Sequence, residues 1–219
     1  MNRFLPFLLL CALWCTAVSA QSSPGPAQAR ASHSPAETAP DPGSVVAGIY
    51  RNASFGFSCK IPETWVLRTA EMNAPPTEDA AQKTSTKTEK PSRALLAAFS
   101  RPPDARGEDV NSSILIVAEP ASAYPGLTDA GQYFGPLTEI TKAQGFEVDE
   151  EPYEFAAGSK NLVRGDFRKN VGARVMHQST LVMLARGYAV SFTFIGGTED
   201  EVESLIQNLS FAARTKPSK

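Results

Sequence analysis

Arg186-Gly187-Tyr188-Ala189-Val190-Ser191-Phe192-Thr193-Phe194-Ile195-Gly196-Gly197-Thr198-Glu199-Asp200-Glu201 carries a turn, a strand and a helix start in sixteen residues. Tyr188, Val190, Phe192 and Phe194 alternate at the two-residue period of a strand with one buried face. The two-residue link Arg186-Gly187 joins that strand to the apolar run before it as an antiparallel hairpin. Downstream, Thr198 and Glu201 have the spacing of a capping box, and Glu199 and Asp200 favour the positive end of a helix. Val202, Leu205, Ile206 and Leu209 share one face, so the spacing predicts an amphipathic helix running on to Phe211.

Working upstream, three more strands are expected near 146–156, 159–168 and 173–185, the terminal one lying at 188–195. Before them, Ala130, Tyr133, Phe134, Leu137, Ile140 and Thr141 recur at helical spacing over Thr128–Gln144, with Thr128 as N-cap and Gly145 as stop. Pro136 should kink this helix or delay its start. Strands are expected at 94–100 and 113–118; Ile114 to Ala118 are apolar on both faces, which requires cover on each side. At the front, 49–52 and 57–61 form a hairpin around Ala53-Ser54-Phe55-Gly56. Pro62 ends it, and Trp65 follows as a core anchor. The order strands, helix, strands, helix predicts an α+β fold with a largely antiparallel central sheet and helices on its faces.

The run Tyr50-Arg51-Asn52-Ala53-Ser54-Phe55-Gly56-Phe57-Ser58-Cys59-Lys60-Ile61-Pro62-Glu63-Thr64-Trp65 resembles the opening of PsbP-like domains, an aromatic-Asn-x-x-Phe-Gly-Phe hairpin leading to Pro-x-x-Trp. The last hairpin and acidic helix, Gly187 to Phe211, are similar to that family's ending. The resemblance covers most of 48–214 and implies an α/β/α sandwich. It also implies binding without catalysis, since the family includes photosystem extrinsic subunits, a Ran-binding nuclear-import factor and exported bacterial proteins. An exported bacterial member fits best.

Residues 1–20 read as a secretory signal: Arg3 is the basic n-region, Phe4 to Val18 the apolar stretch, and Val18-Ser19-Ala20 the cleavage site. The apolar stretch is shorter than the ~20 residues that span a bilayer, and it contains Pro6. Leu10 before Cys11 and Trp14 before Cys15 disfavour lipidation. A secreted or periplasmic product is therefore expected, without stable membrane insertion. Residues 21–47, rich in Ser, Ala and Pro, read as a disordered tether. A single domain is expected over 48–214, with a polar insertion at 73–92 and a tail at 215–219. Loss of Arg3 leaves 20 basic against 23 acidic residues, with no basic run, which disfavours nucleic acid and anionic membranes as partners.

Cys59 is the one thiol after cleavage, so no internal disulfide can form. Its alternation with Phe55, Phe57 and Ile61 predicts a buried, inert sulfur; an intermolecular disulfide is the alternative if the strand is exposed. With His33 and His177 the only histidines, no zinc or iron ligand spacing appears. Asp166, His177 and Ser179 permit a hydrolase triad to be drawn, but no Gly-x-Ser-x-Gly elbow supports it. Asp149-Glu150-Glu151 reads as a solvated turn or strand edge in preference to a calcium site. Gly196-Gly197 could cradle an anion were the helix start not acidic. Asn52, Asn111 and Asn208 head glycosylation sequons. No catalytic, cofactor-binding or metal-ligating residue is assigned, and no cofactor is expected. The leading reading is an exported, non-enzymatic binding or interaction domain whose partner is a protein or small ligand. The alternatives are a hydrolase using Asp166, His177 and Ser179, or a structural subunit of an envelope complex.

Overall fold

The computed structural model describes residues 39–74, 92–105, 107 and 109–212. The leader, the tether up to residue 38, most of the expected insertion and the tail lie outside the described residues. Among the described residues eleven strands run β1 Ser44–Val46, β2 Ile49–Asn52, β3 Phe57–Lys60, β4 Val66–Leu67, β5 Arg93–Phe99, β6 Ser113–Pro120, β7 Glu147–Ala157, β8 Lys160–Val171, β9 Arg174–Ala185, β10 Tyr188–Gly196 and β11 Leu209–Phe211. The helices are α1 Thr69–Met72, α2 Phe134–Ala143 and α3 Glu199–Ile206. The fold is mixed α/β, and every strand pair is antiparallel among the described residues.

The described strands form two sheets where one was expected: a four-stranded one ordered β1-β2-β3-β11 and a seven-stranded one ordered β4-β5-β6-β10-β9-β8-β7. The front hairpin seeds the small sheet instead of extending the large one. Between Asn52 and Gly56 the chain reverses through the Asn52 side chain, whose Oδ1 accepts from Phe55 N at 2.9 Å. Gly56 takes φ +71, and its N–H returns to Asn52 O at 2.9 Å. The small sheet's inner aromatics then meet the large sheet edge to face: Phe57 on Phe192 at 4.9 Å and Phe55 on Tyr188 at 5.9 Å between centroids. The main core joins these residues to Leu181 and Met183 of β9, Ile114 and Ile116 of β6, and Val202, Leu205 and Ile206 of α3. A second cluster, on residues of opposite parity, gathers Val182, Ala189 and Phe167 with Tyr133, Phe134 and Phe146. There the Phe134 ring packs so closely on Gly165 that a Cβ at that glycine would fall within 2.6 Å of it.

Several expectations are corrected. The folded region starts before residue 48: Ser44–Val46 pair with β2, Tyr50 Oη donates to Pro42 O at 3.0 Å, and Asn52 Nδ2 donates to Asp41 O at 2.8 Å. Backbone hydrogen bonds hold this stretch, so its shortage of large apolar residues was no guide. Leu209–Phe211 is a strand on the free edge of β3, not helix. Leu209 suits both periods, and pairing satisfies the β3 edge. The second helix is capped by Asp129, not Thr128, and opens with a 3₁₀ turn over Ala130–Tyr133. Its α-helical part begins at Phe134, placing Pro136 in the first turn, where a missing N–H is tolerated. Trp65 is only half-buried at the core margin, and Leu115 and Val117 are half-exposed, so β6 is fully covered on one face only. The fold is thus a mixed one of helices and mostly antiparallel sheet, as the α+β reading had it, with a second sheet beside α3 packed on the large one.

Candidate functional site

Strands β7, β8 and β9 and the first turn of α3 enclose a cleft of about 430 Å³. Its outer wall is the edge strand β7, where pairing with β8 shifts between Val148 and Glu150 and again between Glu150 and Tyr153. Pro152 sits inside this irregular stretch, as an edge strand allows for a residue that cannot donate. Of the two readings of the three acids, solvated turn or strand edge, the structure shows the edge: they lie in the irregular part of β7, and Asp149 and Glu150 line the cleft with Tyr153.

The floor is built around Arg164. Its Nε donates to both Asp166 oxygens at 3.0 and 2.9 Å, and its Nη2 donates to Ser179 Oγ at 3.1 Å and to Glu203 of α3 at 2.5 Å. The guanidinium lies 5.4 Å from the Phe155 ring centroid, so the charge is stacked as well as paired. Burial pulls its proton affinity down, but the bond to Glu203 and the charge of Asp166 outweigh that and raise it. Asp166 also accepts from Ser179 Oγ, in a short contact, and from Tyr153 Oη at 3.3 Å. Burial, then the Asp166 charge, pushes the Tyr153 phenol up to about 12 and keeps it a donor at neutral pH.

The structure brings Asp166, His177 and Ser179 into one cleft without the connectivity of a triad. Ser179 is 3% exposed. Its proton goes directly to Asp166 and its oxygen accepts from Arg164, so no base stands between acid and hydroxyl. No hydrogen bond joins His177 to either residue among the described residues. Its Nδ1 instead faces Glu199 Oε1 at 3.8 Å. Ligand atoms of Asp149, His177 and Glu199 lie within 4.8 Å of one another.

Electrostatically the cleft is one-sided. Asp149, Glu150, Asp166, Glu199, Asp200 and Glu203 line it against Arg164 and His177. Arg164 is already engaged by Asp166 and Glu203. Of the remaining carboxylates, Asp149 is paired with Arg168 at 3.1 Å, and Glu150, Glu199 and Asp200 are exposed.

Other residues singled out in the sequence are structural. Cys59 is fully buried, and burial pushes its thiol up to about 12. Gly197 N donates to Glu201 Oε2 at 2.8 Å, so the helix's own carboxylate fills the place an anion would take. That capping glutamate reaches one residue further back than a capping box and also accepts from Ser112 Oγ at 2.5 Å. Asn52 is buried with its amide fully engaged, which closes one of the three sequons in the folded chain. Beyond the opposite sheet face, Glu119 accepts from Tyr124 Oη at 2.8 Å and from Tyr133 Oη, pinning the 3₁₀ turn to β6. Tyr124 is raised to about 12 by burial and then by that carboxylate.

Arg164, Tyr153 and Glu203 escaped sequence reading. No local signal marked them: Arg164 and Asp166 share the parity of Lys160, Leu162, Arg168 and Asn170, a strand face that reads as mostly polar, so their burial was not legible.

No family model and no curated protein matches the chain, so the PsbP-like resemblance is not confirmed. Among solved structures it is similar to LpqN, involved in cell envelope biogenesis of Mycobacterium tuberculosis, at 14% identity over 79% of this chain and 87% of that one, TM-score 0.36. It is also similar to a Pseudomonas aeruginosa protein of unknown function, PA94, described as a putative regulator, at 15% identity over 52% and 80%, TM-score 0.36. A Bacteroides thetaiotaomicron protein overlaps at 14% identity over 72% and 46%, TM-score 0.35. Overlaps of this size carry no argument about activity. No helix among the described residues is long and apolar enough to cross a membrane.

Proposed function

We propose that the chain is an exported, non-enzymatic binding domain whose acidic cleft takes a basic segment of a protein partner. The observation that carries this is the lining: six carboxylates around about 430 Å³, of which Asp166 and Glu203 are committed to Arg164 and Asp149 is paired with Arg168, leaving Glu150, Glu199 and Asp200 exposed. Such a concentration of one sign in a concave site attracts the opposite charge and repels nucleic acid and anionic lipid. Export rests on the leader at residues 1–20, and binding without chemistry accords with the PsbP-like resemblance of residues 50–65. A role as an envelope-complex subunit is the same reading with a permanent partner.

Fluorescence anisotropy with a labelled oligolysine peptide tests the proposal. Binding should weaken as salt rises, and Glu150→Lys with Asp200→Lys should weaken it at least tenfold. Failure to bind, or binding indifferent to both substitutions, would overturn it. The hydrolase reading has one observation in its favour, the shared cleft of Asp166, His177 and Ser179. The direct Ser179–Asp166 bond argues against it, and Ser179→Ala should leave peptide binding intact.

A further inference from the structure

We propose that Asp149, His177 and Glu199 form a site for a divalent first-row transition metal ion at the mouth of the cleft. The proposal deepens the reading of this cleft as a cation site and names a second cation for it. The three residues come from β7, β9 and the first position of α3, and their ligand atoms already lie within 4.8 Å of one another. Ligands on a zinc ion bind at about 2.0–2.2 Å, so they must close in by roughly 1 Å. Glu199 can supply that movement, being 77% exposed at its side chain on the surface of the helix.

The His177–Glu199 approach is the informative distance. At 3.8 Å, Nδ1 and Oε1 are too far apart for a hydrogen bond, yet they face each other across a gap that a shared ion would bridge. An imidazole nitrogen among the donors selects transition ions over calcium and magnesium, which prefer oxygen alone. Glu150 and Asp200, beside the site, add negative potential without needing to ligate. One cation already competes: Arg168 Nη1 sits 3.1 Å from Asp149 Oδ1, with its side chain half-exposed and free to swing away. Three protein ligands leave coordination positions open to the cleft, where water or a group of the bound partner would complete the sphere.

The test is calorimetric titration of the full chain with zinc chloride in metal-free buffer, repeated with cobalt chloride to read visible absorption. The expected result is one ion per chain, with affinity reduced at least tenfold by His177→Ala and by Glu199→Gln. His33→Ala should bind as the parent does. Arg168→Ala should bind more tightly, because it removes the competing cation. Glu199 is exposed, so Glu199→Gln keeps the test valid even if His177→Ala disturbs the fold. No zinc binding, or binding that His177→Ala and Glu199→Gln leave unchanged, would overturn the proposal. Oligolysine binding without zinc binding would remove the metal site alone. Zinc binding that depends on His177, without oligolysine binding, would remove the peptide reading and keep the site.

Discussion

Strand β9 turns Leu181 and Met183 toward one end of the large sheet and Ser179 and His177, on the same face, toward the other. The two ends differ in what covers them. Over Leu181 and Met183 lies the small sheet with Phe55 and Phe57, and the packing is aromatic and dry. Over Ser179 and His177 lies the N-terminal half of α3, with Glu199 and Asp200 in its first turn and Glu203 in the next, and the strand residues below are charged or polar to match. An acidic first turn stabilises the helix end through its dipole, and two of its carboxylates, Glu199 and Asp200, also roof the cleft. One cluster of residues thus serves helix initiation and the electrostatics of the site.

Two substitutions should break the ends separately, each with a large effect. Phe57→Ala opens a cavity in the dry end and should cost about 3–5 kcal/mol. Arg164→Ala leaves Asp166 buried without its cation and should also cost about 3–5 kcal/mol. The sharper comparison is rescue. Arg164→Met combined with Asp166→Leu should recover most of the loss, because the polar end gains apolar packing in place of a costly buried pair. Guanidinium denaturation measures all three. If Arg164→Ala cost under about 1 kcal/mol, the charge network would be a solvated surface feature and the comparison would fail.

Alkali should unsettle both ends, through Tyr153 in the cleft, whose phenol is pushed up to about 12, and through a phenol and a thiol at the dry end. Burial pushes Cys59 from 9.0 to about 12 and Tyr50 from 10.0 to about 12. Both hold their protons more tightly folded than unfolded, so the stability they contribute is complete below about pH 9 and is lost as pH rises through about 12. Melting temperature followed from pH 8 to 11 should fall above pH 9, and Cys59 should resist thiol reagents at pH 8 until the chain is denatured. A fast-reacting native thiol would contradict the packing described. At the polar end a smaller effect is expected: Thr198 Oγ1 accepts from Glu201 N at 3.1 Å, so Thr198→Ala should cost about 1 kcal/mol by thermal melting.

What the sequence revealed follows the range of each signal. The β9–β10 hairpin and the Thr198 cap were legible because residues within a few positions of one another determine them, and Arg186 and Gly187 at φ +53 and +79 form the expected tight turn. Leu209 misled because its place fits both a helix face and a strand. The segment at 41–47 misled because its partners, Tyr50 and Asn52, hold it through backbone carbonyls that composition cannot register. The cleft was hidden for a related reason. Arg164 meets Glu203 across 39 positions, and Asp149, His177 and Glu199 meet only once three elements are packed. The drawn constellation of Asp166, His177 and Ser179 shared a strand pair, so its proximity was legible; its bonding depended on Arg164, which was not.

The most direct measurement is residue-resolved amide NMR of the chain during titration with oligolysine. Shifts should concentrate in 149–153, 177–179 and 199–203, while Phe57, Leu181 and Met183 at the dry end stay silent. Shifts centred instead on the exposed edge of β11, or spread evenly over the surface, would contradict the assignment of the acidic cleft as the binding site.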